Sequence, residues 1–440
     1  MTKESSAIHL NLKEARRLAL RCQLLEGSTK LPSGKEGAAR VIEHLGYVQI
    51  DTISVIERAH HHVLWTRVRD YQPAMLDELL AKDRRVFEFW AHAVSYVPMS
   101  DYRYYRTRMK VFLDGNPRNE KWDPYSRELK WIKENRKLMN DVLGRIRQEG
   151  PLGTADFEHP KDAGRRSPWG RKPAKIALEM LFYTGELMVT ERRSFQRIFD
   201  LTERVLPPTV DTTEPDEREV ARFAILRALN AMGFATPREI REYITMAGQP
   251  AIEQTLTDMI ESGEVACFTI DALPDRTAPF LPRPACGERA GVRGRTYFTL
   301  SRLLDQPPKW LGSRPQVHVL SPFDNLIAAR ERTNRLFGFD YQLECYKVPA
   351  QRKYGYFVLP VLYGDQFMAR LDAKVERKSN CLQVISLIFE PDFRDYDAAL
   401  EPLARKLMTF AGFNRAACTV LKEVKPVKLK RPLERLLKSI

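Results

Sequence analysis

The order of apolar and polar positions along the chain predicts three copies of one local unit. In each copy an amphipathic helix ends at a glycine and leads directly into a strand, at residues 38–49, 177–189 and 256–266. A glycine takes the left-handed backbone conformation that closes a helix without steric cost, so it can turn the chain towards the strand. One such helix end would be weak evidence, but three copies indicate a repeated architecture.

Each copy is expected to continue into a second strand, which in the second and third copies forms a hairpin. The paired strands are predicted at 188–192 with 196–201, and at 266–270 with 296–300. Before the third copy, residues 220–232 form a strong helix, and Thr236 followed by Pro237 begins the next one. Helices followed by a hairpin are typical of a winged-helix domain, which places one helix against a duplex.

The segments between these units contain turn residues, and the chain changes character after residue 315. Residues 113–124 are expected to form a loop, 206–215 a proline-punctuated linker, and 274–295 a long wing tip. A three-stranded meander and a closing helix are predicted at 354–363, 366–377, 381–390 and 398–411. The predicted fold is α+β, with three tandem winged-helix units and a β-rich, barrel-like domain at 1–125, 126–213, 214–312 and 313–440.

The charge balance indicates the class of partner. Lys and Arg number 71 against 57 Asp and Glu, which gives a net charge of +14 and a pI near 9.4. A protein with this balance most often binds a polyanion, and nucleic acid is the commonest one; a basic protein without such a partner is the alternative. We expect a cytoplasmic, nucleoid-associated protein, because the sequence shows neither a membrane-spanning apolar run nor a signal-peptide core.

The cysteines and histidines do not predict a metal site. The six cysteines show no Cys-x-x-Cys spacing and are expected to be reduced, mostly buried thiols: Cys22, Cys267, Cys286, Cys345, Cys381 and Cys418. The run from His60 to His62 is predicted to lie on a strand and to face solvent or a phosphate. We therefore expect no metal and no cofactor.

The segment from Gly46 to Thr52 supplies the candidate catalytic pair. It is predicted to be a short strand, on which side chains two residues apart share a face, so Gln49 and Asp51 would point the same way. An amide beside a carboxylate can hold a water molecule and take its proton. The alternative is a solvated strand face next to a turn.

The segment 49–53, Gln-Ile-Asp-Thr-Ile, resembles the Gln-apolar-Asp (or Gln) signature of the AlkZ/YcaQ-like winged-helix DNA glycosylases. Further collinear blocks similar to the YcaQ branch lie at 89–93, 155–160, 320–324, 343–346, 354–360 and 372–374. The resemblance implies tandem winged helices around a barrel-like domain, and excision of alkylated purines, notably N7-alkylguanine and interstrand crosslinks. It places the catalytic pair at Gln49 and Asp51. The insert at 274–295 and the basic C-terminal tail depart from the family pattern.

The implied reaction agrees with the chemistry of the pair. Alkylation at N7 makes guanine cationic and a good leaving group, and positive charge then develops on the sugar. Asp51 could stabilise that charge and accept a proton from water, while Gln49 positions the water or the sugar. Because no lysine adjoins the pair in sequence, we expect a monofunctional enzyme that uses water rather than a Schiff base.

The expected partner is duplex DNA that contains alkylated or crosslinked guanine, bound by a monomer in an open cleft. A crosslinked base cannot be flipped far into a deep pocket. Trp90 and His92 are expected to line the cleft, although core packing is an alternative for Trp90. Predicted phosphate contacts, which could instead be a solvated face, are Arg171, Lys172, Lys175, Arg192 and Arg193. The last 19 residues, with seven Lys or Arg, could lie on DNA or form a disordered end.

Two other classes of function remain open from the sequence. Tandem winged helices also occur in non-enzymatic DNA-binding regulators, in which Gln49 and Asp51 would be structural. Sequence-specific binding to undamaged DNA would favour that class. An RNA-binding or RNA-processing protein would need exposed aromatic strips for single strands, and these are not evident in the sequence.

Overall fold

The computed structural model describes residues 8–27, 30–114, 126–157, 173–271, 295–305 and 315–440. Within these ranges the strands form four sheets, three with three strands and one with five. The chain is therefore α+β, as predicted, with a β-rich C-terminal region. The predicted wing tip at 274–295 lies outside the described residues except for Arg295.

The first region runs to residue 114. Its elements are β1 (Ile8–Leu10), α1 (Leu12–Cys22), α2 (Gly34–Leu45), β2 (Val48–Gln49), α3 (Ala59–Arg67), α4 (Pro73–Ala81), β3 (Val86–Trp90), β4 (Val94–Pro98) and α5 (Tyr102–Asp114). Gly46 ends α2 with a φ of 77°, which is the predicted left-handed closure. The expected second strand does not follow β2 directly, because α3 and α4 intervene before β3 and β4 complete the sheet in the order β2-β4-β3. The helix α5 also covers the first two residues of the predicted loop at 113–124, whose remaining residues lie outside the described part.

The second region contains the predicted hairpin. Its elements are α6 (Ser126–Glu134), α7 (Arg136–Glu149), β5 (Leu152–Gly153), α8 (Pro173–Tyr183), β6 (Leu187–Arg193), β7 (Gln196–Leu201) and α9 (Thr202–Val205). The turn between β6 and β7 consists of Ser194 and Phe195, both with positive φ, at 47° and 69°. A two-residue turn of this kind matches the twist of the strands that it joins.

The third region also forms as predicted. Its elements are α10 (Glu217–Met232), α11 (Pro237–Tyr243), α12 (Gln249–Glu261), β8 (Val265–Ile270), β9 (Thr296–Leu300) and α13 (Ser301–Leu304). Thr236 caps α11, and its hydroxyl accepts a hydrogen bond from Glu239 N. The N-terminal strand β1 joins this sheet in parallel with β8, so the chain start packs on the third region. The order of helices and hairpin fits the predicted winged-helix units, an assignment that stays a prediction.

The C-terminal region is built on the five-stranded sheet. Its elements are β10 (Val317–Val319), α14 (Asn325–Ala328), α15 (Arg330–Phe337), β11 (Leu359–Tyr363), β12 (Gln366–Glu376), β13 (Cys381–Phe389), α16 (Tyr396–Phe413), β14 (Cys418–Lys425) and α17 (Lys430–Ser439). The predicted meander is confirmed as β11, β12 and β13, with β10 and β14 added at the two edges. The C-terminal tail is ordered rather than disordered, because β14 pairs with β13 and the apolar side of α17 packs against the core at Leu433.

Some cysteines are oxidised, which corrects the expectation of reduced thiols. Cys381 and Cys418 lie opposite each other on β13 and β14 and form a disulfide. Cys267 is disulfide-bonded as well. Cys22 and Cys345 are free. Cys381 and Cys418 are 37 positions apart in the chain and are brought together by the pairing of parallel strands. No short cysteine spacing in the sequence therefore indicates this bond.

Two hydrophobic cores meet near the candidate catalytic segment. The first core draws residues from all three N-terminal regions, and Tyr47, Val48 and Ile50 pack in or against it. The second core lies between the five-stranded sheet and α16, and Ile53 and Ile56 pack there. The segment around Asp51 therefore crosses from one core to the other.

Candidate active site

The candidate pair lies where β2 ends. Gln49 is the last residue of β2 and pairs with Ser95 of β4, and Ile50 N donates a hydrogen bond to Val94 O at 2.8 Å. Asp51 follows the strand, so the prediction that a strand carries both side chains was wrong for Asp51. The reason is local: the Asp51 carboxylate accepts a hydrogen bond from Ile53 N at 2.7 Å, a side-chain turn that competes with strand pairing.

Asp51 is half-buried, and its environment makes it a stronger base. Burial raises the pKa of its carboxyl group, and the hydrogen bond from Ile53 N opposes this rise only in part. Burial disfavours the charged form of a carboxylate, so the group takes a proton more readily than an exposed aspartate does. A partly accessible carboxylate of this kind can accept a proton from water and stabilise a nearby positive charge.

The turn between β3 and β4 brings two further predicted residues to the same end of the sheet. Trp90 ends β3 and is partly exposed, and His92 lies exposed in the turn. Arg108 holds this turn, because its guanidinium donates to Trp90 O at 2.7 Å and Ala91 O at 3.0 Å. Since Ile50 N bonds to Val94 O and Trp90 pairs with Val94, the backbone at Asp51 and this turn lie at the same end of the sheet. That Trp90 and His92 line the site with Gln49 and Asp51 stays a prediction.

The predicted phosphate contacts of the second region differ in their surroundings. Lys175 is exposed on α8, and Arg193 is exposed at the end of β6, where it pairs with Glu191 at 2.6 Å. Arg192, only 8% exposed, instead donates to the buried Glu88 carboxylate at 2.7 Å. Arg171 and Lys172 lie outside the described residues.

The hairpin that carries Arg192 and Arg193 is docked against the first region. The ring of Phe195, at its turn, stacks on His60 with a centroid distance of 5.9 Å. The guanidinium of Arg58 lies 4.0 Å from the same ring and that of Arg192 lies 4.4 Å from it. This contact and the Glu88 ion pair occupy Arg192 within the protein.

The three adjacent histidines are buried on a helix, which corrects the predicted strand. They lie on α3, where His61 Nδ1 hydrogen-bonds Tyr71 Oη at 2.8 Å and His62 Nε2 donates to Val319 O at 2.9 Å. Burial lowers the pKa of His61 to about 3 and that of His62 to about 4, so both are neutral near pH 7. They connect parts of the protein rather than facing a phosphate.

The sequence did not reveal the ion pair between Arg67 and Asp324. Arg67, at the end of α3, donates to both carboxylate oxygens of Asp324 at 2.7 Å and 2.8 Å, and both side chains are fully buried. Arg67 Nε also donates to Gln23 O at 2.8 Å. Asp324 lies in one of the blocks that carry the family resemblance, but nothing in the sequence pointed to Arg67 as its partner. The pair fixes α3 against the C-terminal region.

The loop at 343–357 was also missed as part of the site. It follows α15 and carries Cys345 and Tyr346. The pKa of the Cys345 thiol is raised by burial and, to a smaller extent, by the charge of Asp51. The pKa of the Tyr346 hydroxyl is raised mainly by Cys345, and Asp51 contributes as well. The segment 343–346 appeared among the resemblance blocks, but its position next to Asp51 depends on tertiary packing.

No helix of the described ranges is long and apolar enough to span a membrane. Within the same ranges, His, Cys, Asp and Glu side chains form no group of three that could hold a metal ion.

A comparison with known protein families identifies the chain. The sequence model described as "DNA glycosylase AlkZ-like" matches residues 42–410, which is most of the chain. The protein belongs to the AlkZ-like DNA glycosylase family. The match includes Gln49, Asp51, the Trp90 turn and most of the C-terminal sheet.

The fold of this AlkZ-like glycosylase is similar to a solved structure. Streptomyces sahachiroi DNA glycosylase AlkZ superposes with a TM-score of 0.59 at 16% sequence identity, over 94% of this chain and 100% of the other. The two proteins therefore share the fold along nearly their whole length. The family match identifies the chain as a DNA glycosylase.

Proposed function

We propose that this AlkZ-like glycosylase hydrolyses the N-glycosidic bond of N7-alkylguanine in duplex DNA and unhooks N7-guanine interstrand crosslinks. The observation that carries this proposal is the half-buried Asp51 carboxylate at the exposed end of the β2-β4-β3 sheet, beside the Gln49 amide. The substrate class follows from the family resemblance and from the chemistry of a cationic base.

Asp51 acts at the stage when the bond to the base breaks. N7-alkylguanine already carries a positive charge, so the base leaves without strong acid assistance, and the sugar becomes positively charged. The Asp51 carboxylate stabilises that sugar cation and takes a proton from the attacking water. Gln49 positions the water or the sugar by hydrogen bonds from its amide. The products are the free base and an abasic site.

The surroundings of Asp51 favour an open cleft. Trp90 and His92 are accessible at the neighbouring turn, and Tyr346 is highly exposed on the adjacent loop. A base that remains tethered to the opposite strand cannot enter an enclosed pocket, whereas an accessible carboxylate can reach its sugar. This arrangement therefore supports crosslinked guanine as a substrate in addition to monoadducts.

The test uses two duplexes, one with a single N7-methylguanine and one with an N7-guanine crosslink. Each is incubated with wild-type protein or Asp51→Asn and treated with alkali, which cleaves the strand at abasic sites. We expect Asp51→Asn to reduce excision by roughly 10²- to 10⁴-fold, the usual contribution of a general base, with duplex binding retained.

Asp70→Asn is a matched control. Asp70 is exposed and has a positive φ of 59°, a conformation that asparagine also adopts, so this variant should excise at the wild-type rate. Equal activity of Asp51→Asn and wild type would reject the assignment of Asp51. Tight, sequence-specific binding without cleavage of either duplex would favour a regulator instead.

A further inference from the structure

Three large hydrophobic side chains are exposed on the loop at 343–357, near Asp51. Tyr346 is 84% exposed, Val348 57% and Tyr356 38%. Apolar side chains clustered on a surface commonly mark a contact with another molecule. Tyr346 is the most exposed of the large hydrophobic residues in the described ranges.

The loop is held in this shape by a buried carboxylate at its start. Glu344 is almost fully buried and accepts hydrogen bonds from Tyr354 N at 2.8 Å and Gly355 N at 3.3 Å. Lys347 Nζ donates to the same carboxylate at 3.2 Å. The two ends of the loop are thereby tied together around Tyr346.

A second buried carboxylate fixes the end of the loop. The Asp372 carboxylate of β12 lies close to this end of the loop: burial raises its pKa, and the backbone N–H groups of Tyr356 and Phe357 oppose that rise. A Cβ atom at Gly355 would overlap the Asp372 carboxylate, so glycine permits this close approach. The exposure of Tyr346 is therefore a feature of an anchored loop rather than of a loose one.

The anchored loop stands next to the candidate catalytic residue. Leu343, at its start, and Ile53, two residues after Asp51, both pack against the second core. The influence of Asp51 on the pKa of Tyr346 agrees with this placement. Tyr346 and Asp51 thus lie on two neighbouring segments at the edge of the second core.

The charge of the loop favours DNA over a protein partner. Lys347, Arg352 and Lys353 lie on it, and the Arg352 guanidinium is 4.9 Å from the Tyr356 ring. Aromatic rings that alternate with cations are suited to bases and phosphates. A second copy of this chain, with its net charge of +14, would be repelled.

We propose that Tyr346 stacks on the N7-alkylated guanine at Asp51 and selects it by its positive charge. The proposal rests on the function proposed above. An electron-rich phenol ring attracts a cation placed over its face, so it binds the cationic base better than a neutral guanine. Tyr346 is then a specificity-determining residue, while Asp51 carries out the chemistry.

The test measures single-turnover excision of N7-methylguanine over a range of protein concentrations, which separates binding from the maximal rate. We expect Tyr346→Ala to raise the half-saturating concentration by roughly 5- to 150-fold, the range for losing one base–aromatic stack. Tyr346→Phe should remain close to wild type. Tyr346→Leu, which keeps apolar area without an aromatic face, should behave like Tyr346→Ala.

Val420→Ala is the control, since Val420 is an exposed apolar residue on β14 outside the loop, and it should not change either constant. A second readout uses 2-aminopurine next to the lesion in the Asp51→Asn background. Its fluorescence should respond to binding, and the response should shrink when Tyr346→Ala is added.

The outcomes separate the two proposals. If Asp51→Asn loses excision but Tyr346→Ala and Tyr346→Leu match wild type in both readouts, the stacking proposal is rejected and the glycosylase site stands. If Asp51→Asn excises normally, the proposed site itself fails. A loss in Tyr346→Leu that Tyr346→Phe does not share supports recognition through the aromatic face.

Discussion

Asp51 is distinguished from an ordinary surface aspartate by partial burial and one local hydrogen bond. Burial raises the pKa of the carboxyl group, and Ile53 N lowers it by a smaller amount. An aspartate near its usual pKa would be a weak base at neutral pH, so the raised value is suited to accepting a proton from water. The reactivity of this residue thus depends on where it lies between the two cores.

The pH dependence of excision should report this pKa. Below the raised pKa Asp51 is protonated, so it can neither accept the water proton nor stabilise the sugar cation. We expect the single-turnover rate to fall by up to about tenfold per pH unit as the pH decreases through that pKa, and to level off above it. The measurement follows N7-methylguanine excision from about pH 4 to about pH 8, corrected for spontaneous depurination. If Asp51→Asn shows the same loss of rate at low pH as wild type, that loss is due to another titrating group.

The hairpin of β6 and β7 shows how one element can hold two adjacent arginines in different environments. The side chains of Arg192 and Arg193 are 8% and 63% exposed, respectively. Strand alternation places neighbouring side chains on opposite faces, and only one face packs against Glu88 and Phe195. The sequence predicted both as phosphate contacts because charge alone does not indicate which face is covered.

Alanine substitutions at these two positions should separate stability from DNA binding. Arg192→Ala leaves the buried Glu88 with one partner fewer, Arg197 remaining at 3.0 Å, and should lower the free energy of unfolding by about 3 kcal/mol. Arg193→Ala should leave stability within about 0.5 kcal/mol and, if Arg193 contacts a phosphate, reduce the salt slope of duplex binding by about 1. Urea unfolding and binding titrations at several salt concentrations measure these effects. Equal destabilisation by both variants would contradict the burial difference.

At the scale of the whole molecule, the N-terminal regions and the C-terminal sheet are joined through α3. His62 donates to Val319 O of β10, and Arg67 binds Asp324 with two hydrogen bonds. Glu57 N, just before α3, donates to Asn414 Oδ1 at 2.7 Å. These contacts follow Asp51 closely in the chain, so we expect the position of the candidate site to depend on the junction between the two cores.

Removing one partner of the Arg67–Asp324 pair should destabilise the protein strongly. Arg67→Met leaves a buried carboxylate unpaired and should lower the free energy of unfolding by about 3–5 kcal/mol, whereas Arg67→Met with Asp324→Leu should lose less. The exposed pair of Arg405 and Glu401 on α16 provides a control, because Arg405→Ala should cost at most about 1 kcal/mol. Urea unfolding monitored by circular dichroism measures all three. Similar losses for Arg67→Met and Arg405→Ala would rule out a structural role for the buried pair.

The elements that the sequence predicted correctly are those with local causes. Gly46 closes α2, Thr236 caps α11, and alternating apolar residues form β11 to β13, because each depends on neighbours within a few positions. The histidine run was assigned to a strand wrongly, since burial on all sides of α3 leaves no helical pattern of polar residues.

The sequence by itself supplied the proposed catalytic pair of Gln49 and Asp51, the basic charge and the resemblance to the AlkZ-like family. The tertiary structure decided which groups surround that pair and which are used elsewhere. It brought the loop of Tyr346 near Asp51, paired Arg192 with Glu88, joined Cys381 to Cys418 and brought Arg67 to Asp324. These contacts join residues far apart in the chain, and their energies depend on burial and on three-dimensional neighbours, which a one-dimensional pattern does not contain.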